Sequence, residues 1–253
     1  MTINFLTFAN TDFISLDRIK LQAESFNIFD KIFTLTEKDI PEIIEMHREF
    51  INFWKKGFGL YIWKPEIIVK TLEELEENDI LIYADGGTFL NVNGKDRLNF
   101  YLQQLETHDI ITFSSGPNYK SREFVKMDAI QSYYPQLINE DINACYASVM
   151  IIKKTNKSMH LLVDWLNLCR NYEFIDKFPS RYYKELPSFK GNDCDNGLFI
   201  LCLAKHKIDY IINHEETNLY NSKGEQIHFE VAENEWEKLN NYPFQLRRLR
   251  PRD

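Results

Sequence analysis

The segment Asp79-Ile-Leu-Ile-Tyr-Ala-Asp-Gly-Gly87 offers the plainest chemistry in the chain, because an apolar, β-prone run delivers the carboxylate of Asp85 to two glycines. Ligands of open α/β sheets bind at the carboxyl ends of the strands, so this acid stands where a ligand would be met. Three chemistries compete with its ordinary use as a turn former. A haloacid dehalogenase-type phosphatase would suit the ending Asp85-Gly-Gly-Thr88, but it needs a nucleophilic Asp two residues earlier, where Tyr83 stands. Dinucleotide binding would need a third glycine after Gly57-Phe-Gly59 and a strand before it, and an apparent helix precedes instead. Nucleotide-sugar binding needs a hard oxygen ligand, for the ribose or a diphosphate-bound cation, beside closely approaching backbone. Asp85, Gly86 and Gly87 supply both.

A second acidic cluster, Gly191-Asn-Asp-Cys-Asp-Asn196, opens a helix expected over 195–206. Asp193 or Asp195 could serve there simply by capping free N–H groups at the helix start. Trp63 lies in an aromatic stretch over 57–65 and suits stacking on a sugar ring, whereas Trp165 falls on an apolar helical stripe and reads as core.

The elements that must position these residues follow from periodicity. An apolar strand over 3–9, a helix from Ser15 with Leu16, Ile19, Ala23 and Phe26 on one stripe, and a strand over 31–35 give a βαβ unit within about 35 residues. Helical spacing then runs from Pro41 to Gly57, and a further helix over 65–77 begins with Pro65 in its first turn. After the strand over 79–84 come a helix over 96–106, strands over 109–113 and 146–152, and helices over 158–169 and 195–206. No repeat or linker interrupts the chain, so one α/β domain over 1–253 is expected. Its strand-rich half (about 1–115) would bind the ligand and its second half (about 116–253) would carry the acceptor and catalytic groups.

Composition narrows the function classes. The chain has 253 residues and a net charge of −8, which argues against an extended nucleic-acid footprint. Gly 9 and Pro 8 are too few for a fibrous or disordered chain. No apolar run approaches the ~20 residues of a membrane span. The first thirteen residues lack the features of a secretory leader, and the four cysteines lack the spacing of a zinc site or disulfide framework. A cytoplasmic protein with free thiols is the expectation, in membrane-peripheral contact if the basic end touches anionic lipid.

The run Gly57-Phe-Gly-Leu-Tyr-Ile-Trp-Lys-Pro65, followed by Asp79-Ile-Leu-Ile-Tyr-Ala-Asp-Gly-Gly87, resembles a group of microbial and viral glycosyltransferases with the pattern G-Y-G-x-W-x-W-K-P and D-x-L-x-Y-x-D-A-G. Arg18-Ile-Lys-Leu-Gln-Ala23 and Phe29-Asp-Lys-Ile32 upstream, and Lys126-Met-Asp128, Ala147-Ser148, Asp164-Trp-Leu166 and Asp195-Asn196 downstream, keep the group's order over roughly 1–212. The resemblance implies a single-domain GT-A fold with a mostly parallel central sheet flanked by helices. It also implies a UDP- or GDP-sugar donor and transfer to a glycan or lipid-linked acceptor in polysaccharide or glycoconjugate synthesis.

Carried over residue by residue, the resemblance puts Phe8, Ala9, Asn10 and Arg18 at the nucleotide, and Asp85-Gly86-Gly87 at the D-x-D motif. Asp195 and Asn196 fall on the group's H-D-Q, with Cys194 in place of its His, and Asp195, with Asp193 beside it, becomes the base or sugar contact. Lys126 would touch phosphate or acceptor. Gly87 replaces the second carboxylate of D-x-D, which leaves a Mn²⁺ or Mg²⁺ short of ligands, with Asp85 and His214 as the protein donors. Catalysis without a metal is the other expectation, with the diphosphate neutralised by Lys64, Arg247, Arg248 and Arg250. The missing carboxylate also motivates a rival reading, a catalytically silent relative that binds a glycan or a protein partner.

Overall fold

The computed structural model describes residues 1–11, 15–208, 211–221, 223, 225–227 and 231–249. The side chain of Ser15, expected to cap the first helix, and the cation Arg250 lie outside the described residues.

Six strands form the central sheet in the order β2-β1-β3-β6-β5-β7. They are β1 (Ile3–Phe8), β2 (Lys31–Leu35), β3 (Ile80–Ala84), β5 (Ile110–Ser114), β6 (Cys145–Lys153) and β7 (Ile211–Ile212). β1 pairs in parallel with β2 and β3, and β5 with β7, while β6 runs antiparallel to both β3 and β5. The sheet is thus mixed but mostly parallel, the α/β class that the alternation of elements predicts.

β3 reads as an unbroken apolar run, and the strands beside it as largely apolar ones, because both faces of the sheet are covered. Successive side chains point to opposite faces, so Leu81 and Tyr83 of β3 join one core cluster while Ile80, Ile82 and Ala84 join the other. The first face is packed by α5 (Trp63–Glu73), α8 (Asn156–Arg170) and α10 (Cys194–His206); the second by α1 (Ser15–Ser25) and α6 (Lys95–Gln104).

Between β2 and α5 the single helix expected after Pro41 is two short ones, α2 (Pro41–Met46) and α3 (Arg48–Phe53). They part at His47 (φ −109°, ψ 17°), whose buried ring faces Glu66 and Tyr172. A tight turn follows, α4 (Gly57–Leu60), and α5 then begins at Trp63, two residues before the expected start. α7 (Met127–Tyr133) and α9 (Tyr172–Ile175) complete the α-helices among the described residues.

The C-terminal stretch packs back onto the fold as far as it is described. β8 (Phe244–Gln245) pairs antiparallel with β4 (Phe89–Leu90), just beyond Asp85, and Phe244 is buried against the second core. The next residues continue over the Asp85 turn, where the Leu249 N–H donates to the Gly87 carbonyl at 2.9 Å.

Helix α5 is buried along nearly its whole length yet carries Lys64 and Glu66. Glu66 accepts both forks of the Arg170 guanidinium at 2.7 and 2.9 Å and faces His47 at 3.4 Å, tying α5 to α8 and to the break between α2 and α3. Burial opposes its ionisation, but the bonds from His47 and Arg170 outweigh it and lower its pKa. A depressed carboxyl stabilises the fold above its unfolded pKa, and that contribution is lost as pH falls through the folded one. Glu66→Ala should therefore lower the unfolding free energy at neutral pH by about 2 kcal/mol. The deficit should shrink on acidification in urea titrations run at several pH values; a pH-independent deficit would refute the ion-pair account.

Candidate functional site

The C-terminal end of β3, the N-terminal ends of α5 and α10, and the α4 turn enclose a cleft of about 550 Å³. At its floor the ammonium of Lys64, 3% exposed, sits 3.0 Å from Oδ1 of Asp85 and 3.2 Å from Oδ2 of Asp195. It also donates to the Ala147 carbonyl at 3.3 Å and lies over the rings of Tyr61 (4.9 Å) and Tyr83 (5.5 Å). Burial works against this charge, but Asp195 and Asp85 more than offset it, so the Lys64 pKa is raised and the ammonium persists.

One ammonium serves two carboxylates, and they are not equal. Asp85 keeps 30% of its side chain exposed and accepts a second bond, 2.7 Å, from the Tyr83 hydroxyl. Asp195 is only 3% exposed, and burial pushes its pKa up to about 7, opposed by Lys64 and reinforced by Asp85 and Asp193. The result is a carboxyl poised near neutrality beside one that stays partly solvated.

Second contacts hold the acids in place. Trp165, buried as expected, donates its indole N–H to the Asp195 carbonyl at 2.8 Å. Asn196 accepts from the Ala147 N–H at 2.6 Å and donates to Asp193 at 2.7 Å, which ties α10 to β6. Asp193 occupies the N-cap position of α10 but makes no side-chain cap bond, so its exposed carboxylate is not consumed by capping.

The wall opposite is the α4 turn. Five consecutive residues have positive φ: Gly57 (59°), Phe58 (52°), Gly59 (85°), Leu60 (54°) and Tyr61 (64°). A left-handed conformation costs a non-glycine residue roughly 1–2 kcal/mol. Three residues bear that cost here, which marks a segment whose shape the surroundings enforce. Leu60 is buried, and the Trp63 indole donates to the Gly57 carbonyl at 3.1 Å while its ring packs on Phe8 at 4.0 Å.

The structure gathers many of the residues singled out in the sequence. Phe8, Ala9, Asn10, Trp63, Lys64 and the turn 85–87 all line the cleft, as do Asp193, Asp195 and Arg248. Arg18 does not line it. Its guanidinium reaches the carbonyls of Gly86 (2.8 Å) and Thr88 (2.9 Å) and braces the turn from behind; burial and the nearby Arg247 lower its pKa to about 10.

Three further expected residues also lie outside the cleft lining. Lys126 is fully buried away from the cleft and bonded to Asp176 at 2.6 Å, because it pins the loop after α9. Arg247 turns away from the cleft over Phe89 (3.9 Å) and Trp236 (5.2 Å), where these rings and an ion pair with Glu233 hold its guanidinium. His214 packs edge-on against Tyr220, with 4.4 Å between ring centroids, and does not meet Asp85 in the cleft lining.

Sequence reasoning missed Tyr61, Tyr83, Lys55, Lys56 and Lys177. Tyr83 was within reach, since a residue two before Asp85 on a strand shares its face. Lys177 was not, since it arrives from a loop distant in sequence.

The residues present do not fit a divalent cation. Among the described residues no group of three or more His, Cys, Asp or Glu side chains converges as a metal site. Oδ1 of Asp85 is already engaged by Lys64 and Tyr83. At Gly87, where the second acid would stand, a Cβ would lie 3.3 Å from the Leu249 carbonyl and 3.4 Å from the Arg248 Cα, space that the C-terminal segment takes.

No family profile matches the sequence, and no curated protein matches it. Solved structures do. A glycosyltransferase involved in glycosylation of the major capsid of PBCV-1 superposes with a TM-score of 0.50 at 14% identity, covering 97% of this chain and 94% of the other. Glucosyl-3-phosphoglycerate synthase from Mycobacterium tuberculosis, solved with Mn²⁺, UDP-glucose and phosphoglyceric acid, gives 0.40 at 11% identity over 94% and 76%. Mouse xyloside xylosyltransferase 1 gives 0.39 at 12% over 84% and 71%. The first shows that this chain has a GT-A-type glycosyltransferase fold. Among the described residues no helix is long and apolar enough to cross a membrane.

The raised pKa of Asp195 has a thermodynamic consequence. Between the ordinary carboxyl value of 3.8 and about 7, the folded chain holds a proton that the unfolded chain has released, so this group's contribution to stability falls as pH rises through that window. Asp195→Asn removes the effect. Urea titrations of both proteins should show the variant gaining on the wild type by more than about 1 kcal/mol between acid and neutral pH, with the difference level above it. A difference that is flat throughout would contradict the assignment.

Proposed function

We propose that this protein is a glycosyltransferase that moves a sugar from a nucleoside diphosphate donor to a glycan or lipid-linked saccharide. The observation that carries the reading is the Lys64-centred carboxylate pair at the carboxyl end of β3, opening into a cleft whose rim is basic on a chain of net charge −8. Such a cleft suits a ligand with both hydroxyl groups and a diphosphate.

In this reading Phe8, Ala9 and Asn10 flank the nucleoside, with the Trp63 ring packed at a tilt against Phe8. The exposed part of Asp85 accepts hydrogen bonds from ribose or sugar hydroxyls, and Arg18 keeps the 86–88 turn in register beneath them. Asp195 is the general base. The acceptor oxygen attacks the anomeric carbon, its proton passes to the Asp195 carboxylate, and the bond to the β-phosphate oxygen breaks, with its electron pair leaving on the nucleoside diphosphate. A base with a pKa of about 7 is half ionised near neutrality, where proton transfer is most efficient. Asp193, exposed and uncommitted to capping, orients a sugar or acceptor hydroxyl.

A screen of UDP- and GDP-sugars by thermal shift tests this. Ligand at about a hundredfold excess over Kd stabilises by about 2.7 kcal/mol, which for a chain of this size raises Tm by roughly 5–10 °C. Asp85→Ala should abolish the shift. Asp195→Asn should keep it while transfer and donor hydrolysis fall by a factor of about 10² or more. A wild type that binds a donor but never releases its nucleoside diphosphate, with or without saccharide acceptors, would support the catalytically silent relative instead. No shift with any donor would remove the nucleotide-sugar reading altogether.

A further inference from the structure

The geometry points to a built-in cation: we propose that the Lys64 ammonium occupies the role of a divalent ion between Asp85 and Asp195, and that the donor diphosphate is held by Lys55, Lys56, Lys177 and Arg248 rather than through a metal. The inference rests on the nucleotide-donor reading above and specifies how this chain meets the diphosphate.

Three independent observations carry it. The first is occupancy. A cation bridging Asp85 to a diphosphate would have to share that carboxylate with an ammonium 3.0 Å from its Oδ1, which also receives the Tyr83 hydroxyl. Lys64 cannot swing away, because it is fully enclosed by Asp195, the Ala147 carbonyl and the rings of Tyr61 and Tyr83. The second is ligand count. The position two residues after Asp85 is Gly87, which carries no ligand, and the backbone of Arg248 and Leu249 lies against it, so an acid there would press on the C-terminal segment.

The third is a replacement for the missing charge. Lys55, Lys56, Lys177 and Arg248 line the cleft and are exposed, and none forms an ion pair with a carboxylate among the described residues. They come from three separate stretches of chain. Lys55 and Lys56 lead into the left-handed turn, Lys177 follows α9, and Arg248 is set beside the cleft by the bond between the Leu249 N–H and the Gly87 carbonyl. Lys177 also donates to the Asn192 carbonyl and Lys55 to Asn52 Oδ1 at 3.4 Å, but convergence of four cations without a carboxylate partner on one rim, in a chain with 38 acidic against 30 basic residues, is an arrangement for a polyanion. Cations gathered at the rim can meet the charge that develops on a departing diphosphate.

The test uses UDP, GDP, ADP and dTDP as probes, titrated calorimetrically into the full chain in EDTA and again in Mn²⁺. At least one should bind, with affinities in the two buffers within about threefold of each other. Mn²⁺ added to the protein alone, followed by electron paramagnetic resonance, should show no tight site. The double variant Lys56→Ala/Lys177→Ala changes only exposed side chains. It should weaken the same nucleotide at least about tenfold in EDTA and flatten the salt dependence of binding. Lys64→Met, if it folds, frees both carboxylates and should acquire the Mn²⁺ signal that the wild type lacks.

Binding at least about tenfold tighter in Mn²⁺ than in EDTA would overturn the built-in cation and leave the donor reading intact. So would nucleotide binding indifferent to the double variant. Absence of binding by all four nucleotides in both buffers would overturn the donor reading, and this inference with it.

Discussion

The cleft depends on one buried ammonium shared by two carboxylates. Removing an alkylammonium from water costs several kcal/mol even in a relaxed protein interior. A carboxylate at about 3 Å returns roughly 5 kcal/mol at an effective dielectric near 20, so Asp85 comes close to offsetting the burial and Asp195, half ionised near neutrality, adds a surplus. The surplus keeps Lys64 charged and draws α5, the turn at the end of β3 and α10 together, since each supplies one of the three groups. The cost is left with Asp195, the acid with less access to water, whose proton affinity rises accordingly. A structural lock and a tuned carboxyl are thus two consequences of one contact.

The surroundings can be understood as means of holding that triad in register. Glu66, two residues from Lys64, ties the buried helix α5 to Arg170 and His47, and so limits rotation of the helix that presents the ammonium. Trp165 and Asn196 fasten the start of α10 to its own packing partner and to β6. The left-handed α4 turn does the corresponding work on the open side. Its strain is spread over Phe58, Leu60 and Tyr61 and is opposed by burial of Leu60 and by the bond from Trp63 to Gly57. What the strain yields is the Tyr61 ring over Lys64, with two lysines carried to the rim just before the turn.

The sheet and its flanking helices were legible in the sequence because they rest on periodicity. Apolar β3 and the stripes of α1, α8 and α10 announce themselves without tertiary information, and the strand-end position of Asp85 follows from β3 alone. Element boundaries moved where local chemistry overrode pattern. His47 interrupts an otherwise helical spacing because its ring is drawn into the Glu66 and Tyr172 contacts, and the 57–65 stretch is shaped by backbone conformations that hydrophobicity does not encode. Lys64 was recognisable as a cation near the ligand, but its position between two acids was not, because Asp195 arrives from more than a hundred residues away. Lys126 misled for the opposite reason: nothing local distinguishes a lysine that meets a ligand from one that meets Asp176.

The absent second carboxylate and the docked C-terminal segment are best understood as one feature. An acid at position 87 would need room for a side chain, and the path of residues 248 and 249 fills that room. Conversely, the segment can lie so close only because residue 87 has no side chain to displace it. Pairing of β8 with β4 fixes its approach, and the outward turn of Arg247 onto Phe89 and Trp236 leaves Arg248 facing the cleft. The exchange is electrostatically coherent: one negative group fewer at the turn, one positive group more at the rim, both shifting the cleft toward an anionic ligand. A carboxylate restored at 87 would therefore do more than add a metal ligand, because it would press against the segment that supplies the positive charge.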